Sequence, residues 1–146
     1  MEIKFRKYQG TGNDFVIIDN RDGAYSTLNI EQVAFLCNRK LGIGADGLMM
    51  LEEAEGFDFR MVYYNADGKE GSMCGNGGRC LVQFANDMGI SKSDYLFIAV
   101  DGPHEAMIDA NGLIQLKMKD VSEVSENGTD FILNTGSPLY QICRQY

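Results

Sequence analysis

The stretch Gly77-Gly78-Arg79-Cys80-Leu81-Val82-Gln83-Phe84-Ala85-Asn86-Asp87-Met88 constrains this chain more than any other. Its apolar residues Cys80, Leu81, Val82, Phe84, Ala85 and Met88 run nearly around a helical wheel, so a helix over about 77–88 must be covered on most sides. Gly89 stops it. The remainder of the chain has to supply the cover.

What surrounds that helix reads mostly as strands. Ile3 and Phe5 alternate with charges, and a glycine turn, Gly10-Thr11-Gly12-Asn13-Asp14, leads into Phe15-Val16-Ile17-Ile18-Asp19, apolar enough to be buried on both faces. An earlier helix starts after Asn29, with Gln32 in the reciprocal capping position. Ile30, Val33, Ala34, Leu36, Cys37 and Leu41 form its apolar face, and Gly42 ends it. Residues 48–51 and the alternating Phe57, Phe59, Met61 and Tyr63 predict two further strands. From Tyr95 a meander follows, with strands over 96–100, 106–108 and 113–118. Residues 119–130 are polar and read as a connector, and Phe131-Ile132-Leu133 begins a new element.

Charge narrows the function. Thirteen Lys and Arg against 21 Asp and Glu give a net charge of −8, which argues against nucleic-acid partners and anionic membrane surfaces. No run reaches the roughly 18 apolar residues of a membrane span, and the N-terminus lacks a secretory pattern. A cytoplasmic setting with reduced thiols follows. The four cysteines, at 37, 74, 80 and 143, include no C-x-x-C pair, so no metal site is expected. Asn127-Gly128-Thr129 is read as a turn, and His104, after Pro103, as an exposed turn residue.

Gly42-Ile43-Gly44-Ala45-Asp46-Gly47 matches a dinucleotide-binding pattern by letter. A helix precedes it and a strand follows, the reverse of what a phosphate loop needs, so it reads as a helix end and turn. Met73-Cys74-Gly75-Asn76-Gly77-Gly78-Arg79-Cys80 is the informative segment. Glycines before a helix let a ligand lie against the backbone, and the free N–H groups of the first turn bind an anion. The same positive helix end favours a thiolate at Cys74. Cys37 and Cys80 fall on apolar faces and read as core. The polar turns around Asn13 and Asn65 are either substrate contacts or plain turn formers.

Four segments, in the same order, resemble the diaminopimelate epimerases: Gly10-Thr11-Gly12-Asn13-Asp14-Phe15; Asn38-Arg39 with Gly42-Ile43-Gly44-Ala45-Asp46-Gly47; Tyr64-Asn65-Ala66-Asp67-Gly68; and residues 73–80. The resemblance implies an α+β fold: one lobe of a pseudo-symmetric, two-lobed architecture in which a curved β-sheet wraps a central helix. It implies inversion of one stereocentre of diaminopimelate, on the route to lysine, by two opposed cysteines and without a cofactor. One thiolate removes the α-proton and one thiol protonates the opposite face. By position, Cys74 is one of the two, and Asn13, Asn65, Gly75 and Asn76 contact the small amino-acid substrate.

The chain departs from that pattern in three places. Some family members carry Gln where this chain has Gly47, and a His where Leu139 follows Asn134-Thr135-Gly136-Ser137-Pro138. Family members are roughly twice as long, and their second cysteine lies in a second lobe. Residues 1–119 are therefore expected to form the lobe, and 120–146 a connector with the start of a second one. The tail from Leu139 to Tyr146 is expected to be a frameshift product, with an engineered end or a divergent tail as alternatives. Such a lobe would expose an interface favouring homo-oligomers. A non-catalytic carboxylate-binding lobe or assembly partner, or a related amino-acid racemase, are the competing functions.

Overall fold

The computed structural model describes residues 2–120, 124–127, 130–134 and 138–142. Nine elements come first: β1 (Arg6–Gly10), β2 (Asn13–Asp19), α1 (Ile30–Cys37), β3 (Gly47–Glu52), β4 (Phe59–Asn65), α2 (Gly75–Asp87), β5 (Asp94–Ala99), β6 (Gly102–Ile108) and β7 (Ile114–Leu116). Their seven strands form one sheet in sequence order. It is antiparallel except where β2 pairs β3 and β4 pairs β5. Those two parallel pairs are the ones joined through α1 and α2, because a parallel neighbour requires a crossover.

The two helices lie on opposite faces of the sheet, which explains the unbroken apolar runs of β2 and β3. Phe15, Ile17, Met49 and Leu51 pack in the α2 core with Leu81, Phe84, Phe59 and Phe97, whereas Val16, Ile18, Leu48 and Met50 pack with Val33 and Cys37 of α1. The sheet curls until strands at both of its edges, β1 and β7, touch α2. The expected wrapped helix is present, with a qualification. Arg79, Gln83 and Asn86 are only half-buried and Asp87 is exposed, so α2 keeps one polar stripe along the open side of the curl.

Several boundaries differ from expectation. β1 starts at Arg6, and Ile3 instead packs beside α1. α1 has the expected capping box, with the Asn29 side chain accepting from the Gln32 N–H and Gln32 accepting from the Asn29 N–H. It ends at Cys37, well before Gly42. The Asn38 side chain accepts from the N–H groups of Lys40 and Leu41 at 2.9 and 3.0 Å, an alternative that outcompetes another helical turn. The chain then folds back under the helix, where a Cβ on Gly42 would lie 1.9 Å from the Phe35 carbonyl oxygen. Leu41 is consequently exposed, as is Ile30.

His104 is not an exposed turn residue. It lies in β6, 4% exposed, stacked on Phe97 with Nε2 2.8 Å from Asp101 Oδ1. Burial works against ionising Asp101, but hydrogen bonds from His104 and Lys119 outweigh it and hold its pKa below the usual value. This group ties residue 119 to the β5–β6 turn. The expected connector contains a strand, β8 (Val124–Asn127), which joins β9 (Asp130–Asn134) and β10 (Pro138–Ile142) in a separate three-stranded antiparallel sheet. The tail therefore does pair as a strand over 138–142. Residues 143–146, with Cys143, and the expected turn at 128–129 lie outside the described residues. Among the described residues, no helix is long and apolar enough to cross a membrane.

Candidate functional site

α2 begins two residues earlier than its apolar pattern predicts, because glycines carry its first turn. Cys74 is the N-cap in an extended conformation, its Sγ accepting from the Gly77 N–H at 3.5 Å. The Gly78 N–H closes on the Cys74 carbonyl at 2.7 Å. Gly75 and Asn76 are the first two helical residues, whose N–H groups have no intrahelical acceptor. A half-buried thiol thus stands at the mouth of a helix that presents two free donors.

The glycines serve packing more than ligand access. A Cβ on Gly77 would lie 3.0 Å from Met49 Sδ, and one on Gly78 3.0 Å from Leu116 Cδ2 and Met73 Cε. They let the first turn press onto β3 inside the sheet and onto β7 at its edge. Gly10 does the same from the β1–β2 hairpin, where a Cβ would meet the Asn76 carbonyl oxygen and Cys80 Sγ at 3.1 Å.

That hairpin carries Asn13 to the helix mouth. Asn76 Nδ2 donates to Asn13 Oδ1 at 2.8 Å, and Asn13 Nδ2 donates to Asp46 Oδ2 at 3.1 Å. Arg79 donates to Asn76 Oδ1 at the other end of the chain. An acid at one end and a guanidinium at the other set the direction of both amides. Each keeps an N–H and a lone pair for a ligand. Hydrogen bonding from Asn13 is the main influence holding the Asp46 carboxyl below its usual pKa. Behind it, Asp14 accepts from Arg39 at 2.6 Å and Lys7 at 2.8 Å, and these bonds hold it well below the usual carboxylate range.

Asn65 ends β4 opposite Gly47 in the β3–β4 register, at the same end of the sheet. It joins the group by strand register and not through a bond to the amide pair. The structure thus gathers Cys74, Gly75, Asn76 and Asn13 in direct contact, with Asn65 alongside. The segment Gly42 to Gly47 has α1 before it and β3 after it, as the order of elements predicted. It supplies Asp46. Cys37 and Cys80 are core residues, 3% and 5% exposed, and burial pushes both thiols up to about 11.

Sequence reasoning passed over Asp46, Arg39 and Arg79 as site residues, although all three lie in the segments that carried the resemblance. It also passed over Tyr63, whose place in a strand alternation marked it as core. Tyr63 is half-buried, with burial, then Cys74 and Asp46, pushing its phenol up to about 12. No group of three metal-ligating side chains gathers among the described residues.

Comparison with known proteins bears on the family and the fold. Diaminopimelate epimerase of Flavobacterium psychrophilum is 53% identical over 136 residues, covering 93% of this chain and 53% of that protein. Diaminopimelate epimerase of Chlorobaculum tepidum is 45% identical over 136 residues, covering 88% and 52%. The chain spans about half the length of the curated relatives it matches. Two solved structures share the fold. One is a Bacillus anthracis phenazine biosynthesis protein of the PhzF family, with TM-score 0.61 and 20% identity over 84% of this chain and 44% of that one. The other is methylitaconate-delta-isomerase, with TM-score 0.58 and 12% identity over 91% and 41%. The curled mixed sheet is therefore a lobe of that common fold. The family model described as diaminopimelate epimerase matches residues 5–129. Because that match spans the whole seven-stranded sheet and every residue gathered at the mouth of α2, the chain belongs to the diaminopimelate epimerase family, a family of amino-acid isomerases.

Proposed function

We propose that this chain supplies one half of a diaminopimelate epimerase site. The observation that carries the reading is the mouth of α2. A capping thiol, two unengaged N–H groups and an amide pair of fixed direction converge there. The substrate carboxylate sits on the Gly75 and Asn76 N–H groups, which also stabilise the charge that develops when the α-proton leaves. Cys74 is the acid-base thiol for one face of the α-carbon. Asn13, Asn65 and Asn76 orient the amino-acid end. The setting is cytoplasmic.

Inversion needs a second acid-base group on the opposite face. A single base that removes and returns a proton restores the starting configuration. Among the described residues only Cys74 has a thiol at a helix mouth, so the partner group comes from a second lobe or a second chain. Residues 1–119 are the lobe in this reading, and 120–146 the connector and the start of a further lobe. Self-association through the exposed lobe interface is one route to a complete site.

The test is α-proton exchange in deuterated water from LL- and from meso-diaminopimelate. The 146-residue chain should exchange the proton that faces Cys74, from one isomer only, without net inversion. Cys74→Ser should abolish it. Exchange from neither isomer, with carboxylate binding retained, would favour the non-catalytic lobe instead.

A further inference from the structure

Tyr63 occupies a slot that two glycines make for it. Strand alternation along β4 puts Phe59, Met61 and Tyr63 on the α2 face, and the register sets Tyr63 opposite Met49. The ring leans along the diagonal over Gly47, a reach ordinary for long side chains on neighbouring strands. A Cβ on Gly47 would lie 2.5 Å from Tyr63 Cε2 and 3.0 Å from its hydroxyl oxygen. On the other edge, a Cβ on Gly71 would lie 2.6 Å from both Cδ1 and Cε1, and the Gly71 N–H donates to the Tyr63 carbonyl at 2.8 Å. Phe15 packs edge-on, with ring centroids 6.2 Å apart. The phenol is held on three sides before any ligand arrives.

Its hydroxyl hydrogen-bonds no described residue and is not one of the buried unpaired polar atoms, so it is open to solvent and to a ligand. The hydroxyl end of the ring lies over Gly47, next in the chain to Asp46 and opposite Asn65 in the β3–β4 register, and Tyr63 packs on the same core as Cys74, so it sits at the end of the sheet where α2 begins. It stays protonated at neutral pH and offers a donor. The position where some family members carry Gln is Gly47, and here no longer side chain fits there beside the ring.

We propose that Tyr63 is a substrate-contacting residue whose hydroxyl, preset in the Gly47–Gly71 slot, donates a hydrogen bond to a carboxylate oxygen of the amino-acid substrate. This rests on the half-site reading above. A rigid aromatic donor loses little freedom on binding, so the contact goes largely into affinity.

The test is calorimetric titration of LL- and meso-diaminopimelate into the 146-residue chain and its Tyr63→Phe variant. Thermal unfolding and Cys74 alkylation serve as controls that a merely structural role would move. Loss of one hydrogen bond to a charged acceptor predicts about tenfold weaker binding with both controls unchanged. Equal affinity of wild type and Tyr63→Phe overturns the assignment of Tyr63 and leaves the half-site reading standing. No binding by the wild-type chain overturns the half-site reading, and this one with it.

Discussion

Limited alkylation with iodoacetamide at pH 7 should label Cys74 far ahead of Cys37 and Cys80. The buried pair carry pKa values pushed up to about 11. Against an ordinary thiol near 8.5, that lowers the thiolate fraction about 300-fold. The thiolate of a weaker acid is the better nucleophile, and a Brønsted slope of about 0.4–0.5 returns roughly a factor of ten. About thirtyfold remains from ionisation, before access is counted. Cys37 and Cys80 are 3% and 5% exposed, so the measured ratio should exceed that figure. Cys74 is half-buried and more accessible than either. Mass-spectrometric peptide mapping over a time course gives the three rates, with urea-unfolded chain as the control that equalises them. Raising the pH should speed the two buried sites about tenfold per unit until their own titration is reached. Labelling of Cys80 at a rate equal to or above that of Cys74 in the folded chain would refute the assignment of Cys74 to an open site.

The same two thiols make an alkaline stability limit. Their folded pKa values lie above the unfolded ones, so the unfolded chain releases protons first and stability falls as pH rises from about 9 to about 11. Each costs about 2–3 kcal/mol by the upper end, readable as a falling urea midpoint, and Cys37→Ala should remove its share of the slope. In the acid direction, Asp14 contributes stability above its unfolded pKa that is lost as pH falls below it, and Asp14→Asn should flatten that limb of the urea profile. Gly68→Ala and Gly112→Ala share a left-handed backbone but differ in surroundings. A Cβ at Gly68 would lie 2.0 Å from the Ile30 carbonyl oxygen, while nothing stands within 4 Å at Gly112. The Gly112 change should cost about 1–2 kcal/mol, and the Gly68 change clearly more, by denaturant titration of both.

Local chemistry made much of this protein legible in the sequence. The unbroken apolar run of β2 foretold a strand covered on both faces, and a helix with so little polar surface had to be wrapped. The Asn29–Gln32 capping box needs only four consecutive residues, so it reads directly. Cys74 before a glycine-rich helix start was legible for the same reason, since the cap and the first-turn donors are set within one turn of chain. Tertiary structure alone decided the rest. The side chain of Asn38 chose a local turn over continuing α1, a competition of near-equal local bonds that propensity does not rank. His104 went inward because Asp101, itself held by Lys119, was at hand to pair its ring, and that depends on how the sheet closes. The direction of the Asn13–Asn76 amides depends on Asp46 and Arg79, which approach only after the hairpin, β3 and α2 have packed. Tyr63 reads as one more aromatic in an alternating strand until two distant glycines, one on β3 and one beyond the turn after β4, are seen to leave room for its ring.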